Sequence, residues 1–526
     1  MTTYYINPSL SADGSGTLLD PWNTLNHVAI GGSDTFSGGG LGAEKDNGGD
    51  IILIKTDTEI RETLDIQYAL NFRIGTYGDG EFPIINGSDI VTGTWKFHTG
   101  NIWYLESVTA SKALHLPGQR IIGRDALAKI EQYQSFWDTG TNRIYCDFGG
   151  ANPNNHQIEM TARVKGLFIS HSTDFEVTNT DTQKAAQVNC GSIGTCDRMK
   201  WLYNKSSYAG DWSGQTTGFS RSNFSIFNDS TLATDVIIRG NISQYAQNNG
   251  IEFGGFDGAY LEYNDLLLNG SGLEMWNTTQ NSFIRRNKVI KTRQESPDTD
   301  YGGHGSALWV VPQGQNPPLT GHHHGNKIEY NAFVGSSNKL VDHHDGNDCL
   351  YRNNLFADYD PTGAITDGSQ PMINVREVTG TTNNTGIVFN NNIHYQKTRH
   401  RFMHTRTATT HDYNQYYTED VGPNGYTYFT HNNTHYPGNT PPVPEESFNA
   451  FQVVQETNGA YGDPLINDLD QGDYGIPVTS PAYQAGVDLS LLTDLNKYPI
   501  YSTPNIGPIE NKLTTDVSVG TSNTGE

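Results

Sequence analysis

Two carboxylates occur in nearly the same phrase within one short stretch, NGIEFGGFDGAYLEYNDLLLNGSGLEMW, residues 249–276. Glu252 stands between Ile251 and Phe253, and Glu274 between Leu273 and Met275. In an extended strand the apolar neighbours face inward and both acids face outward on one side. If the two phrases are successive layers of one repeat, the carboxylates lie about 5 Å apart. There they repel by about 3 kcal/mol at an effective dielectric of 20, enough to raise one pKa by about two units. Neither phrase contains a Lys or Arg to neutralise them. One acid held protonated beside one ionised is what glycoside hydrolysis requires, at about 5 to 5.5 Å in retaining enzymes and about 6.5 to 9.5 Å in inverting ones. Glu252 with Glu274 suits the first spacing. A third acid, Asp342 of KLVDHH, falls near the same column, with Val341 the alternative if the register shifts by one; Glu274 with Asp342 suits the second spacing. The competing reading is that both glutamates cap loops or bind backbone amides as scaffold.

Residues near these acids could hold a sugar. Trp276 and Trp309 offer indole faces for its apolar side. His304, His343 and His344 could orient a carboxylate or exchange protons near neutral pH. Other charged groups read as structure. Arg239, Glu262, Arg285 and, after one unmatched coil, Glu329 alternate in sign as an exposed salt-bridge ladder does. His322, His323 and His324 are consecutive, so they cannot all face one metal ion in regular structure. Asp468, Asp470 and Asp473 have a Ca²⁺-like density of oxygens but lack the rest of an EF-hand loop, which leaves Ca²⁺ as the one cofactor in view. KTRHRFMHTR, residues 397–406, is the one basic cluster and could hold an anionic sugar or answer nearby acids.

Such columns need a repeating scaffold. The stretches IIRGNI, LEYNDL, IRRNKV, IEYNAF, LYRNNL and VFNNNI share an aliphatic residue, two variable ones, an Asn, and an apolar residue soon after. Their asparagines, Asn241, Asn264, Asn287, Asn331, Asn353 and Asn391, are separated by 23, 23, 44, 22 and 38 residues, so one or two turns of about 22 account for most intervals. The repeat is too short for a helical hairpin, and its runs of three to five β-branched and aromatic residues are bounded by Gly, Asn and Asp. Strands therefore form the coils. Asn at a sharp corner tolerates the left-handed conformation, and its amide can bond to the next along the stack. Asn264, Asn287 and Asn353 should share one corner column.

At the N-terminus, LLDPWNTLNHVAI places Asp20 as N-cap, Pro21 at the first helical position, and Trp22, Leu25 and Val28 or Ala29 on one face: a short amphipathic helix that would plug the coil stack. We expect an N-terminal strand and capping helix over 1–48, coils over 49–510, and a polar tail over 511–526. The 526 residues carry a net charge of −24, which argues against a nucleic acid partner. No run approaches 18 apolar residues, and Met1-Thr2-Thr3 leads straight into Tyr4-Tyr5-Ile6, so neither a membrane span nor a Sec signal is expected. Of four cysteines only Cys190 and Cys196 are close enough to invite a bridge, and the redox compartment stays open.

The opening YYINPSLSADGSGTLLDPWNTL, the Asn-punctuated coils and the closing DPLIND…GIPVTSPAYQAG resemble the right-handed parallel β-helix family, which includes pectate-lyase-like proteins, β-helix glycoside hydrolases and bacteriophage tailspikes. The resemblance implies an all-β solenoid, and a polysaccharide or oligosaccharide as substrate. β-Helix hydrolases pair acids on neighbouring coils, and SGLEMW followed by KLVDHHDG is similar to the phrasing around them. An extracellular or virion-associated depolymerase, a homotrimer and a virion partner belong to the same expectation. A polysaccharide lyase and a non-catalytic virion or surface protein remain the alternatives; the chain lacks the lyases' Arg-centred motifs and the long anchoring domain of many tailspikes.

Overall fold

The computed structural model describes residues 2–28, 49–108, 113–210, 221–229, 231–292, 305–311, 323–344, 346–358, 371–376, 385–397, 402–406, 409–419, 429–432, 434–436, 444–490, 493–500 and 503–510. Strands dominate, and they coil. From Asn249–Asp257 the chain passes through Tyr260–Glu262 and Asp265–Leu267 and returns, one layer on, at Ser271–Gln280, which pairs in parallel with Asn249–Asp257. Repetition of this circuit builds three stacked sheets of 14, 12 and 12 strands. We call the first the acid sheet, the second, containing Tyr260–Glu262, the ion-pair sheet, and the last the third sheet. Alternation sends one side of each strand inward, where Ile251, Phe253, Leu261, Leu266, Leu273 and Met275 join one continuous core.

The corner between the ion-pair and third sheets carries the asparagine ladder. Asn264 Nδ2 donates to Ile238 O at 3.0 Å and to Asn287 Oδ1 at 2.9 Å, and its backbone N–H donates to that same Oδ1. The pattern runs through Asn204, Asn241, Asn264, Asn287, Asn331, Asn354, Asn392 and Asn414, and ends where the Glu456 carboxylate accepts from Asn414. Three expectations are corrected. The left-handed residue is the one before each ladder asparagine, such as Tyr263 (φ 56°) or Tyr330 (φ 53°). Asn353 and Asn391 occupy that place, so the ladder passes through their successors instead. The 44-residue interval is a single coil, because Asn287 bonds Asn331 directly.

The ion-pair column is consequently unbroken: Arg239, Glu262, Arg285, Glu329 and Arg352 are register partners in succession. It is not an exposed ladder, since Glu262 and Glu329 are buried beneath their arginines. A second polar ladder at the corner before the acid sheet, Asn189 to Asn223 to Asn269, has no counterpart in the sequence reading.

Both ends differ from expectation. The N-terminal helix is one 3-10 turn, Leu25–His27, capped by Thr24 and not Asp20; Asp20 instead accepts from Ser15. Leu25 and Val28 still close the core. The opposite end carries the α-helix, Pro444–Gln455, whose Phe448 and Phe451 cover the last aromatic layer. The segment after it straps the outside of the corner. Arg286 donates to the carbonyls of Thr493 and Asp494, Asn391 to Val487, and Asn353 to Asn505, while Tyr474, Ile476 and Ile506 pack on third-sheet residues including Val334 and Ile393. Residues 511–526 lie outside the described residues.

An eight-stranded, mainly antiparallel sheet built from Ser88–Ile90 through Glu159–Thr161 is inserted into an early coil, with its own core around Trp95, Ile121 and Phe148. The buried Glu159 ties it to the coils through Lys184 at 2.8 Å and Arg61 at 3.3 Å. All four cysteines are free and buried, so no bridge joins Cys190 and Cys196.

The ladder predicts an asymmetry between adjacent asparagines. Asn354→Ala strands several buried backbone and amide groups and should cost about 3 kcal/mol, whereas Asn353→Gly keeps the left-handed corner and should cost about 1 kcal/mol or less. Urea unfolding of both variants checks this; the reverse order would contradict the assignment.

Candidate active site

The outer face of the acid sheet aligns one residue per coil: Ser225, Glu252, Glu274, Trp309, Asp342, Asn374 and His404. Asp342 and not Val341 is therefore the third acid, two layers beyond Glu274. Glu252 and Glu274 are direct register partners one layer apart, about 4.8 Å between strands. Their apolar neighbours point inward as expected, yet the outer face is shielded too, leaving Glu252 6% and Glu274 1% exposed.

The three acids differ in surroundings. Glu252 accepts from Ser222 Oγ at 3.0 Å; burial pushes its pKa up to about 7, and Ser222, Asn249 and Ser225 hold it from rising further. Burial and then the neighbouring Glu252 charge push Glu274 well above the carboxylate range, and Asn249 and the Trp276 indole only partly counter this. Among the described residues no donor reaches either Glu274 oxygen with full hydrogen-bond geometry. Burial also works against charge on Asp342, but His344 and Lys339 outweigh it and hold its pKa well below normal. Lys339 Nζ donates to Oδ2 at 2.9 Å and Asn374 Nδ2 to Oδ1 at 2.7 Å. The column thus holds a proton at Glu274, a charge at Asp342, and Glu252 poised between.

Polar atoms around the pair are left waiting. Asn249 and the Trp276 indole face the acids closely enough to favour their charged forms, yet among the described residues neither, nor the Ser306 Oγ, makes a hydrogen bond of full geometry.

The expected sugar-binding residues divide. Trp276 and Trp309 meet edge to face with centroids 6.0 Å apart, and Trp309 meets His344 in the same way at 6.1 Å. His344 Nε2 lies 3.0 Å from Asp342 Oδ1 and 2.8 Å from Arg376 Nε. A neutral Nε2 accepts from Arg376; a protonated one donates to Asp342. His343 must be removed from the set: it follows Val310 in register, faces the interior, and its Nδ1 bonds the Tyr351 hydroxyl at 2.7 Å, while burial drives its pKa down to about 3. His304 lies outside the described residues. Sequence reasoning missed Ser222, Asn249, Lys339 and Asn374. Lys339 and Asn249 were signalled, each by its three-residue spacing from an acid, Asp342 and Glu252; Ser222 and Asn374 are neighbours through coil stacking.

Metal ligation finds little support in the geometry. Among the described residues no three His, Cys, Asp or Glu side chains converge. Asp468 and Asp473 instead accept from turn amides, those of Asp470 and Gln471 and that of Gly475. His323 bonds Val311 O while His324 meets Asp348, and His322 lies outside the described residues. In the basic cluster Lys397 meets Glu419, and Phe402 and Met403 enter the core; residues 398–401 are outside the described set.

The raised glutamate pKa values have a thermodynamic sign. A carboxyl whose pKa is higher folded than unfolded favours the fold below its unfolded pKa, near 4.5, and loses that advantage as pH rises through the folded value, about 7 for Glu252. Glu252→Gln and Glu274→Gln should therefore raise stability at pH 8 by on the order of 2 kcal/mol and change it little at pH 5. Thermal unfolding at both pH values checks this, and an equal effect at both would contradict it.

No family model matches the chain, and no curated relative does. Among solved structures, XylC in complex with xylose aligns over 96% of this chain and 98% of its own, at 13% identity and a TM-score of 0.49. The native GH136 lacto-N-biosidase from Eubacterium ramulus aligns over 79% of this chain and 64% of its own, at 12% identity and 0.48. The pectate lyase Pel9A aligns over 97% of each chain, at 11% identity and 0.38. These likenesses concern the fold alone. Within the described residues no helix is long and apolar enough to cross a membrane. With its three stacked parallel sheets and coil-by-coil register, the chain is a right-handed parallel β-helix, the fold of pectate-lyase-like proteins.

Proposed function

We propose that the chain is a glycoside hydrolase acting on a polysaccharide or oligosaccharide, with Glu274 as general acid and Glu252 as nucleophile. The observation that carries this reading is the register pairing of two buried acids with no cation between them, beside the Asn249 amide and the Trp276 indole; burial and the neighbouring carboxylate favour the neutral form of Glu274. Burial raises both pKa values, and Glu252, which accepts from Ser222 Oγ, is the one assigned the charge. Its carboxylate attacks the anomeric carbon as the glycosidic C–O bond breaks, and the Glu274 proton passes to the departing oxygen. A water then displaces the sugar from Glu252, giving its proton back to Glu274. One-layer spacing suits this retaining course. Asp342, already tied to Lys339, Asn374 and His344, is a weak base and serves to hold hydroxyl groups and fix His344. Trp276 and Trp309 supply faces for the sugar rings, and an extracellular or virion-borne setting, where polysaccharide coats are met, belongs to the same reading.

Incubation with a panel of glycans should release reducing ends without the ultraviolet absorbance of an unsaturated lyase product. Glu252→Gln and Glu274→Gln should each lower turnover by about three orders of magnitude or more, while Glu176→Gln on the ion-pair sheet should leave it unchanged. Proton NMR of the first-formed product should show the starting anomer. Inversion would transfer the base role to Asp342, and unsaturated products would remove the hydrolase reading.

A further inference from the structure

A cavity of about 660 Å³ lies on the ion-pair sheet, on a different side of the coils from the acid column. Its floor is the register column Arg239, Glu262, Arg285 and Glu329. One wall is the C-terminal strap, through Ser490, Thr493 and Lys497. The rim comes from the left-handed corner residues Tyr203, Tyr263 and Arg286.

The cavity is cationic inside a chain of net charge −24. Four basic side chains, Arg239, Arg285, Arg286 and Lys497, meet only two carboxylates. Both carboxylates are spent below the surface. Glu262 accepts from Arg239 Nε and Nη2 at 2.9 and 2.6 Å and from Arg285 Nε, and Glu329 accepts from Arg352 Nε at 2.6 Å. The acids are 2% exposed while the Arg239 and Arg285 side chains keep 37% and 27% of their surface. Both guanidinium groups therefore stay partly exposed, and that of Arg285 also lies over the Tyr260 and Phe283 rings at 5.4 and 5.2 Å. Among the described residues no carboxylate pairs with Lys497, whose ammonium sits 4.6 Å from the Tyr263 ring centroid.

An aromatic platform adjoins these cations. Tyr203 lies against Gly240, where an added Cβ would come within 2.4 Å of the ring, and more than half of the tyrosine is exposed. Gly240 occupies the same corner column as Tyr203 and Tyr263, so its missing side chain lets the Tyr203 ring lie against the backbone there. A flat ring, forked cations and hydroxyl groups within one cavity match a sugar ring that carries a carboxylate: the apolar face stacks, and the carboxylate takes paired N–H groups. The volume falls in the range of small-molecule sites.

We propose that this cavity is a second carbohydrate site, separate from the acid column, that binds a uronate-bearing saccharide. The test uses the full chain carrying Glu274→Gln so that no turnover intervenes, titrated calorimetrically with tetragalacturonate, with maltotetraose as the neutral comparator and inorganic sulfate as the simple anion. Tetragalacturonate should bind, weakening as ionic strength rises, and maltotetraose and sulfate should not bind at this site. Lys497→Glu and Tyr203→Ala, both confirmed folded by circular dichroism, should each weaken it by about tenfold or more. Should Lys497→Glu fail to fold, the exposed Tyr203→Ala decides alone. No binding of tetragalacturonate, affinity unmoved by the folded variants, equal affinity for maltotetraose, or binding of sulfate alone overturns the proposal. Because the cavity and the acid column are on different sheets, loss of hydrolytic activity in Glu252→Gln with this binding intact separates the two readings.

Discussion

Everything in this molecule depends on the hydrogen-bonded stacking of one coil on the next. Parallel pairing sets each residue about 4.8 Å above its counterpart, so one choice of residue type, repeated, becomes a column. The chemistry of the column then decides what the repeat does. Amides bond along the stack and produce the Asn204 to Asn414 ladder. Opposite charges neutralise, as in Arg239, Glu262, Arg285, Glu329 and Arg352. Like charges cannot, and where Glu252 meets Glu274 without a cation the spacing that stabilises the other columns forces a proton onto one acid. The same backbone geometry thus produces scaffold on one side and reactivity on another.

Burial sharpens that difference. Two exposed acids at this spacing would be screened by water, whereas Glu252 and Glu274 are enclosed and desolvation is the larger cause of their raised pKa values. Two layers along the column, Asp342 is almost as buried yet ionised, because Lys339 and His344 converge on it. Three carboxyl groups within four coils therefore hold three different protonation tendencies, and local partners account for each. His344 adds a fourth group, set between the Asp342 carboxylate and the Arg376 Nε–H that donates to it.

The fold was legible where a pattern repeats on the period of the coil. Asn241, Asn264 and Asn287 recur at 23 residues with their flanking apolar positions, and both the solenoid and the Glu252–Glu274 pairing follow from them. Legibility failed where loops break the period. The 44 residues between Asn287 and Asn331 resemble two turns because nothing in the spacing distinguishes a long loop from a missing repeat. At Asn353-Asn354 and Asn391-Asn392 two asparagines stand together, and only the three-dimensional corner shows that the first anchors the C-terminal strap while the second continues the ladder. His343 looked equivalent to His344, but alternation turns them to opposite faces once the register is set by Trp309 and Asp342. The inserted sheet carries no period at all, and Ser222 and Asn374 reach the acids by stacking rather than by spacing.

The central claim is that the acid pair shares its proton so that Glu274 remains a neutral carboxylic acid at neutral pH. Infrared difference spectroscopy tests it directly, through the carbonyl stretch of a protonated carboxyl group at pH 7 in wild type and in Glu274→Gln. The account predicts a band in the wild-type protein that disappears in Glu274→Gln and persists in Glu176→Gln. A wild-type spectrum unchanged by Glu274→Gln would mean that Glu274 is ionised and that the column holds no acid for catalysis.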